Sequence, residues 1–390
     1  MFIVGLSAVL GLMHLYIWKR LVKDTTQPGR TRWILTAILI ALAMLLVVTL
    51  IGPRVLGLAE SPWYAWPGYV WFGLAVYLFL TLVVLEPVRF AWQRFSKRRA
   101  PATPDEQEPA AAPALSRRVF IARASAVAAG AASVGLVGVG VATAVGPPAL
   151  LQVPVRLRKL DPAFNGFRMA VVSDIHLGPL TGRAHTERIV AMINEAAPDL
   201  VAIVGDVVDG TVEELGPAAE PLRDLHSREG TFFVTGNHEY FVEDPFSWLR
   251  ELERLGVQQL RNENTTIRRG NAAFDLAGVN DIGGESHSDA PDYDRALSGR
   301  DSSRPTILLA HQPVMVEEAA AREVDLQVSG HTHGGQMWPF HYIIRLAQPS
   351  LAGLSTVEDT QLYVTRGAGF WGPPVRIGAP PDITLLSLQA

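Results

Sequence analysis

Two patterns of apolar residues divide this chain. Before residue 150 the apolar positions run together, over residues 2–18, 33–51, about 69–85, and a Gly/Ala/Val-rich run to about 145. The first three runs are each roughly the 17–25 residues a helix needs to cross hydrocarbon. Trp18, Trp33, Trp63, Trp66 and Trp71 fall at or near their ends, where an amphipathic ring prefers the headgroup level. Buried core helices are the alternative, but three such runs in succession with basic flanks predict membrane spans. From about Val153 onward short apolar runs alternate with helical segments. Residues 169–173, 200–204, 231–234, 306–310 and 326–329 read as buried strands. Ile189, Val190 and Ile193 share one face of a helix over 183–197, and Trp248, Leu249, Leu252 and Leu255 mark another over 246–255. Residues 362–365 and 383–388 are expected to close the fold as strands. Alternating strands and helices imply layered α/β architecture.

Composition sharpens this division. A mean hydropathy of +0.19 with 18% charged residues is too apolar for an ordinary soluble enzyme. Lys and Arg outnumber Asp and Glu by 14 to 6 in residues 1–149 and are outnumbered 20 to 32 afterwards. A basic, apolar front and an acidic rear predict a membrane module joined to a globular one. The acidic rear argues against a nucleic-acid groove, which needs cations along the phosphate track. With 0 cysteines there are no disulfides and no thiolate metal ligands.

The flanks also predict a direction. Lys19, Arg20, Lys23, Arg30 and Arg32 separate the first two runs, Arg54 alone separates the next two, and Arg89, Arg94, Lys97, Arg98 and Arg99 follow. The positive-inside rule then puts the N-terminus outside and the segment after residue 85 in the cytoplasm. Residues 100–115 form a Pro/Ala linker without periodicity. Beyond it, Ser116-Arg117-Arg118-Val119-Phe120 ahead of the fourth apolar run resembles a twin-arginine export signal, which would engage that export machinery. Two arginines flanking a fourth span is the other reading. Either carries the rear domain across the membrane. The expected organisation is a membrane region at 1–99, the linker at 100–115, the arginine-led segment at 116–149 and a catalytic domain at 150–390, multi-pass and extracytoplasmic in its active part.

Each buried strand ends in a polar cluster: Asp174-Ile175-His176, Gly205-Asp206-Val207-Val208-Asp209, Gly236-Asn237-His238-Glu239, His311, and Gly330-His331-Thr332-His333. In open α/β sheets, ligand sites form at the carboxyl ends of strands. Imidazoles, carboxylates and an amide oxygen, without sulfur, suit divalent Mn, Fe or Zn. Seven such ligands are too many for one ion and about right for two. Asp206 is the natural bridging carboxylate. The glycines before Asp206, Asn237 and His331 are expected to let the backbone turn tightly.

These five ordered motifs closely resemble the calcineurin-like metallophosphoesterase family, and Ser-Asp-Ile-His-Leu-Gly with Gly-His-Thr-His-Gly-Gly-Gln resembles a bacterial membrane-associated branch of it. The resemblance covers about residues 160–388 and implies a four-layer α-β-β-α sandwich holding two divalent ions. It assigns Asp174, His176, Asp206 and His333 to the first metal, and Asp206, Asn237, His311 and His331 to the second. His238 would assist the leaving group without binding metal. The implied chemistry is hydrolysis of a phosphomonoester, phosphodiester or pyrophosphate by a metal-activated hydroxide.

Other features have plainer readings. Isolated His14, His185, His226, His287 and His341 are expected to be structural or solvated, and Asp209 and Glu239 to orient ligands. The loop at 367–374 either lines the cleft with Phe370 or Trp371 or simply packs. Trp338, Phe340 and the aromatic span ends would make an apolar track suited to a lipid-linked substrate beside the bilayer. Two competing classes remain: a silent metal-binding scaffold, whose lost activity would show as missing ligands, and a sensor or transporter, whose spans would need buried ionisable groups.

Overall fold

The computed structural model describes residues 2–56, 61–98, 117–242 and 244–390, so the predicted linker lies outside the described residues. The chain divides into two compact units, residues 1–140 and 141–390.

The front carries helices α1 (Phe2–Trp18), α2 (Arg30–Leu56), α3 (Pro62–Arg98) and α4 (Arg117–Val145). Segments this apolar stay helical because only a helix satisfies its own backbone polar groups without water. Among the described residues, three windows, Arg30–Pro53, Pro62–Trp92 and Val119–Val145, are long and apolar enough to cross a membrane. α1 has 17 residues and passes into a π-helical turn, Lys19–Lys23. Within the apolar runs His14 is buried, and charged side chains gather just beyond the first and third runs. Arg20 pairs with Asp24 (2.9 Å) and Glu86 (2.8 Å), Arg89 with Asp24 (3.2 Å), and Tyr16 donates to Glu86 (2.7 Å). Arg20 and Asp24 follow the apolar run at 2–18, and Glu86 and Arg89 follow the run at 69–85.

In the second unit the strands are β1 (Ala149–Arg156), β2 (Arg168–Val172), β3 (Leu200–Val204), β4 (Thr231–Val234), β5 (Val257–Gln259) and β6 (Glu263–Arg269). β7 (Ala272–Gly278), β8 (Thr306–Leu309), β9 (Leu326–Ser329), β10 (Gly353–Val357), β11 (Thr360–Val364) and β12 (Asp382–Gln389) follow. They form two six-stranded mixed sheets, ordered β1-β12-β2-β3-β4-β5 and β10-β11-β9-β8-β7-β6. A continuous apolar core lies between the sheets, centred on Phe164, Phe167 and Phe274 in edge-to-face contact. The helices α5 (Arg183–Glu195), α6 (Val212–Ala219) and α7 (Pro245–Arg254) cover the outer face of the first sheet through Ile189, Ile193, Trp248 and Leu252. Two short helices, α8 (Tyr293–Ala296) and α9 (Val316–Ala320), cover the second through Ala296 and Ala319. The architecture is the expected α-β-β-α sandwich.

The strands of clear apolar pattern stand where expected within a residue or two. β1, β5, β6, β7 and β10 carry no such signal. β6 and β10 are half-exposed edges, and β7 is interrupted by Asp275, whose buried carboxylate is paired with Arg304 at 2.8 Å.

Candidate metal centre

The motif loops stay hydrogen-bonded to one another beyond their strands. After β2 and β3, Asp174 N donates to Gly205 O (3.1 Å), His176 N to Asp206 O (3.2 Å) and Leu177 N to Val207 O (2.8 Å). After β8 and β9, Gly330 N donates to His311 O (2.9 Å). The two pairs are joined across the sheets, where His331 N donates to Asp174 Oδ2 (3.0 Å) and His311 Nδ1 to Val204 O (2.8 Å). Glu239 secures the loop after β4. Its buried carboxylate accepts from the backbone N–H of Asp206 (3.0 Å), Val207 (2.7 Å) and Gly236 (2.7 Å).

This close approach gives two of the motif glycines a different reason from the one expected. A Cβ on Gly236 would fall 2.2 Å from Asp206 Oδ1, and one on Gly330 would fall 2.0 Å from Ser173 Oγ. Neither adopts a left-handed backbone; the Asp and His residues of the motifs do so themselves. Asp174 (φ 53°), His176 (48°), Asp206 (54°), His331 (70°) and His333 (51°) all lie in that region. Each costs on the order of 1 kcal/mol and persists only where surrounding bonds over-determine it.

All eight residues singled out from the sequence meet here. Among the described residues, three groups have potential ligand atoms within 4.8 Å of one another: Asp174, His176 and His333; His176, Asp206 and His238; and Asp206, His311 and His331. Asn237 joins the last through its Oδ1, 2.8 Å from His331 Nδ1. His176 Nδ1 faces Asp209 Oδ1 at 2.9 Å, and His311 Nδ1 faces a carbonyl. Those oxygens only accept, so each Nδ1 donates outward and each Nε2 is the atom left to face the centre. His311 Nε2 is buried, makes no hydrogen bond, and lies 3.1 Å from Asp206 Oδ2. An orphaned imidazole nitrogen beside carboxylates and an amide oxygen fits a divalent cation. Arg376 Nη2 lies 3.1 Å from His333 Nδ1. Because Arg only donates, a cation binding His333 Nε2 must displace a proton there.

Electrostatics separates the carboxylates. Burial would raise Asp206, but His311 and His238 hold it well below the usual range. Burial raises Asp174, with His311 opposing and Asp206 adding. Burial lowers His331 to about 3 and is helped by His311. His238 goes the other way. Burial would lower it, yet Asp206 and Asp209 carry it up to about 9. Its Nδ1 lies 2.6 Å from Asp209 Oδ1, and Phe241 and Trp371 flank its ring at 4.8 and 6.0 Å.

Other expectations resolve one by one. Trp371 stands at the cleft, half-exposed, while Phe370 is packed inside. His185 is buried in α5, and neither it nor His226, His287 or His341 enters a ligand group. Two residues were not legible in the sequence. Arg376 is buried and donates to the carbonyls of His333 (2.7 Å), Gly369 (3.1 Å) and Ala379 (3.3 Å). Asp281 is buried, accepts from Gly283 N (2.7 Å) and Gln312 Nε2 (3.0 Å), and leaves Oδ2 without a hydrogen bond. Neither lies in a motif or a periodic run.

The profile of the calcineurin-like phosphoesterases matches residues 167–335. A transmembrane protein with metallophosphoesterase domain from Danio rerio is 33% identical over 100% of this chain and 89% of its own length. Its Bos taurus counterpart is 35% identical over 98% and 88%. An uncharacterized metallophosphoesterase from Helicobacter pylori is 40% identical over 62% of this chain and 64% of its own. The vertebrate likeness runs through the apolar front as well as the motif-bearing rear.

Proposed function

The chain belongs to the calcineurin-like metallophosphoesterase family, and on that premise we propose a membrane-anchored hydrolase of phosphomonoester, phosphodiester or pyrophosphate bonds that works with two divalent cations. The observation that carries this reading is Asp206, one carboxylate standing in two donor groups at once. Asp174, His176, Asp206 and His333 would hold one cation, and Asp206, Asn237, His311 and His331 the other; Mn, Fe and Zn all suit this donor set. Bound there, cations would supply an acidified water and draw charge from phosphoryl oxygens.

The chain's own residues supply the rest. Asp209 fixes the His238 ring by its Nδ1 proton, which leaves Nε2 to donate to the departing oxygen. Glu239 keeps Asp206 in register by holding the backbone on both sides of it. Three helices long and apolar enough to span support the anchor, and the basic flanks support an extracytoplasmic catalytic unit. Val119–Val145 being such a helix favours Arg117 and Arg118 as flanks of a retained span.

The test is hydrolysis by the full chain in detergent, loaded with Mn, Fe or Zn, on chromogenic monoesters, diesters and a soluble pyrophosphate. Turnover that requires metal and disappears in Asp206→Asn is expected. Inactivity with every metal and ester would return the chain to the scaffold reading.

A further inference from the structure

The last apolar helix enters the catalytic unit at the end of the first sheet that carries the metal centre. α4 ends at Val145 and β1 begins at Ala149. β1 runs parallel to β12 with Ala149 beside Asp382, and β12 runs antiparallel to β2 with Thr384 beside Val171. Asp382 therefore stands level with the residues just past Val172, where Asp174 opens the centre. Ala149 is two strands away, about 10 Å. Between Val145 and Ala149 the chain can reach at most roughly 14 Å, and Arg188 Nη1 also donates to Val145 O (2.9 Å).

Large apolar side chains lie on the surface at this end. The helix α10 (His341–Ile344) and its flanks expose Trp338 (52%), Tyr342 (60%), Ile343 (59%) and Leu346 (87%). Backbone bonds tie them to the entry point: Trp338 N donates to Ile377 O (2.9 Å), and four residues on Pro381 O accepts from Ala149 N (2.9 Å). They are tied equally to the centre, since Gln336 Nε2 donates to Trp371 O (2.9 Å) and Trp371 flanks His238. Grouped apolar side chains on a surface mark an interaction site, and Trp and Tyr among them match the membrane–water interface.

We propose that residues 338–346 form a lip resting in the headgroup layer of the bilayer that the chain itself spans, so that the centre takes phosphoesters or pyrophosphates of lipids from that bilayer. This rests on the anchored-hydrolase reading above. The short tether identifies the occupant. An end of the domain held within roughly 14 Å of a span's exit meets lipid before it meets any soluble partner.

The absence of cysteine makes the test direct. The full chain, as Leu346→Cys or Arg228→Cys, is labelled with an environment-sensitive fluorophore and reconstituted in phosphatidylcholine–phosphatidylglycerol vesicles. Arg228 is exposed and precedes β4, at the opposite end of the sheet. The label of Leu346→Cys should shift to the blue and be quenched by brominated lipid, and that of Arg228→Cys by aqueous iodide. Equal iodide quenching of both overturns the lip. Protection of the Leu346→Cys label from both quenchers means a protein cover, and overturns it too.

The second arm combines Tyr342→Ser, Ile343→Ser and Leu346→Ser. Hydrolysis of vesicle-borne phosphatidic acid or polyprenyl pyrophosphate should fall at least about tenfold, comparable to losing one well-buried apolar side chain. Hydrolysis of a soluble nitrophenyl ester should stay unchanged. A wild-type chain active on soluble esters but on neither lipid overturns the substrate class. Inactivity on everything overturns the hydrolase reading instead, while the labels still decide the contact.

Discussion

Asp209 shows how much one carboxylate oxygen governs here. Its Oδ1 faces Nδ1 of both His176 (2.9 Å) and His238 (2.6 Å), and these rings keep it ionised against the effect of burial. Asp209→Asn removes the charge while keeping the shape, so metal affinity should fall roughly tenfold to a hundredfold, measured by metal titration of the purified chain. His238→Ala should leave metal content near normal and lower kcat about 10²–10⁴-fold. Because burial is outweighed by Asp206 and Asp209, His238 stays protonated up to about 9. An acid must carry its proton to act, so turnover should decline at alkaline pH, and that limb should vanish in His238→Ala. The eight residues of the centre were legible because seven sit in motifs of a few residues and His311 directly follows an apolar strand. Arg376 and Asp281 were not, because the contacts that define them come from distant loops.

The elements divide in the same way. α5 and α7 announce themselves through one apolar face each, and β2, β3, β4, β8 and β9 through unbroken apolar runs. β6 and β7 escape notice because one is a polar edge and the other buries Asp275 with Arg304. β7 is nonetheless central to the sandwich. Phe274 lies 5.0 Å from Phe164 and 5.4 Å from Phe167, ring to ring. Phe274→Ala should cost about 3–5 kcal/mol, measured by denaturant unfolding of the catalytic unit's signal in the full chain. α5 adds a pH effect. Burial, aided by Arg188, lowers His185 from 6.5 to about 4. The unfolded chain then binds the extra proton more readily, so stability should fall as pH drops from 6.5 toward about 4. His185→Gln should flatten that slope in melting curves taken across the same range.

At the scale of the whole molecule, a basic apolar front and an acidic rear correspond to chemically different tasks. Carboxylates and imidazoles gather at the end of the sandwich, where a bound cation would add to the stability of the fold. A cation present at about 100 times its Kd adds about 2.7 kcal/mol to folding. A chelator should therefore lower the melting temperature of the full chain in detergent, and Mn should restore it. No change on chelation would mean that the centre holds no metal under those conditions.

The sequence by itself determined the apolar windows, the alternation of strands and helices, and the identity of the residues that meet at the candidate centre. Each of these is written within a few neighbouring positions, in the length of an apolar run or the spacing of a motif. Only the tertiary structure decided the left-handed backbone of the ligands, the shared hold of Asp209, and the burial of Arg376 against His333. It also set Ala149 beside Asp382, level with the metal centre. Those arrangements depend on contacts between residues up to 233 positions apart, and sequence pattern carries little information across such distances.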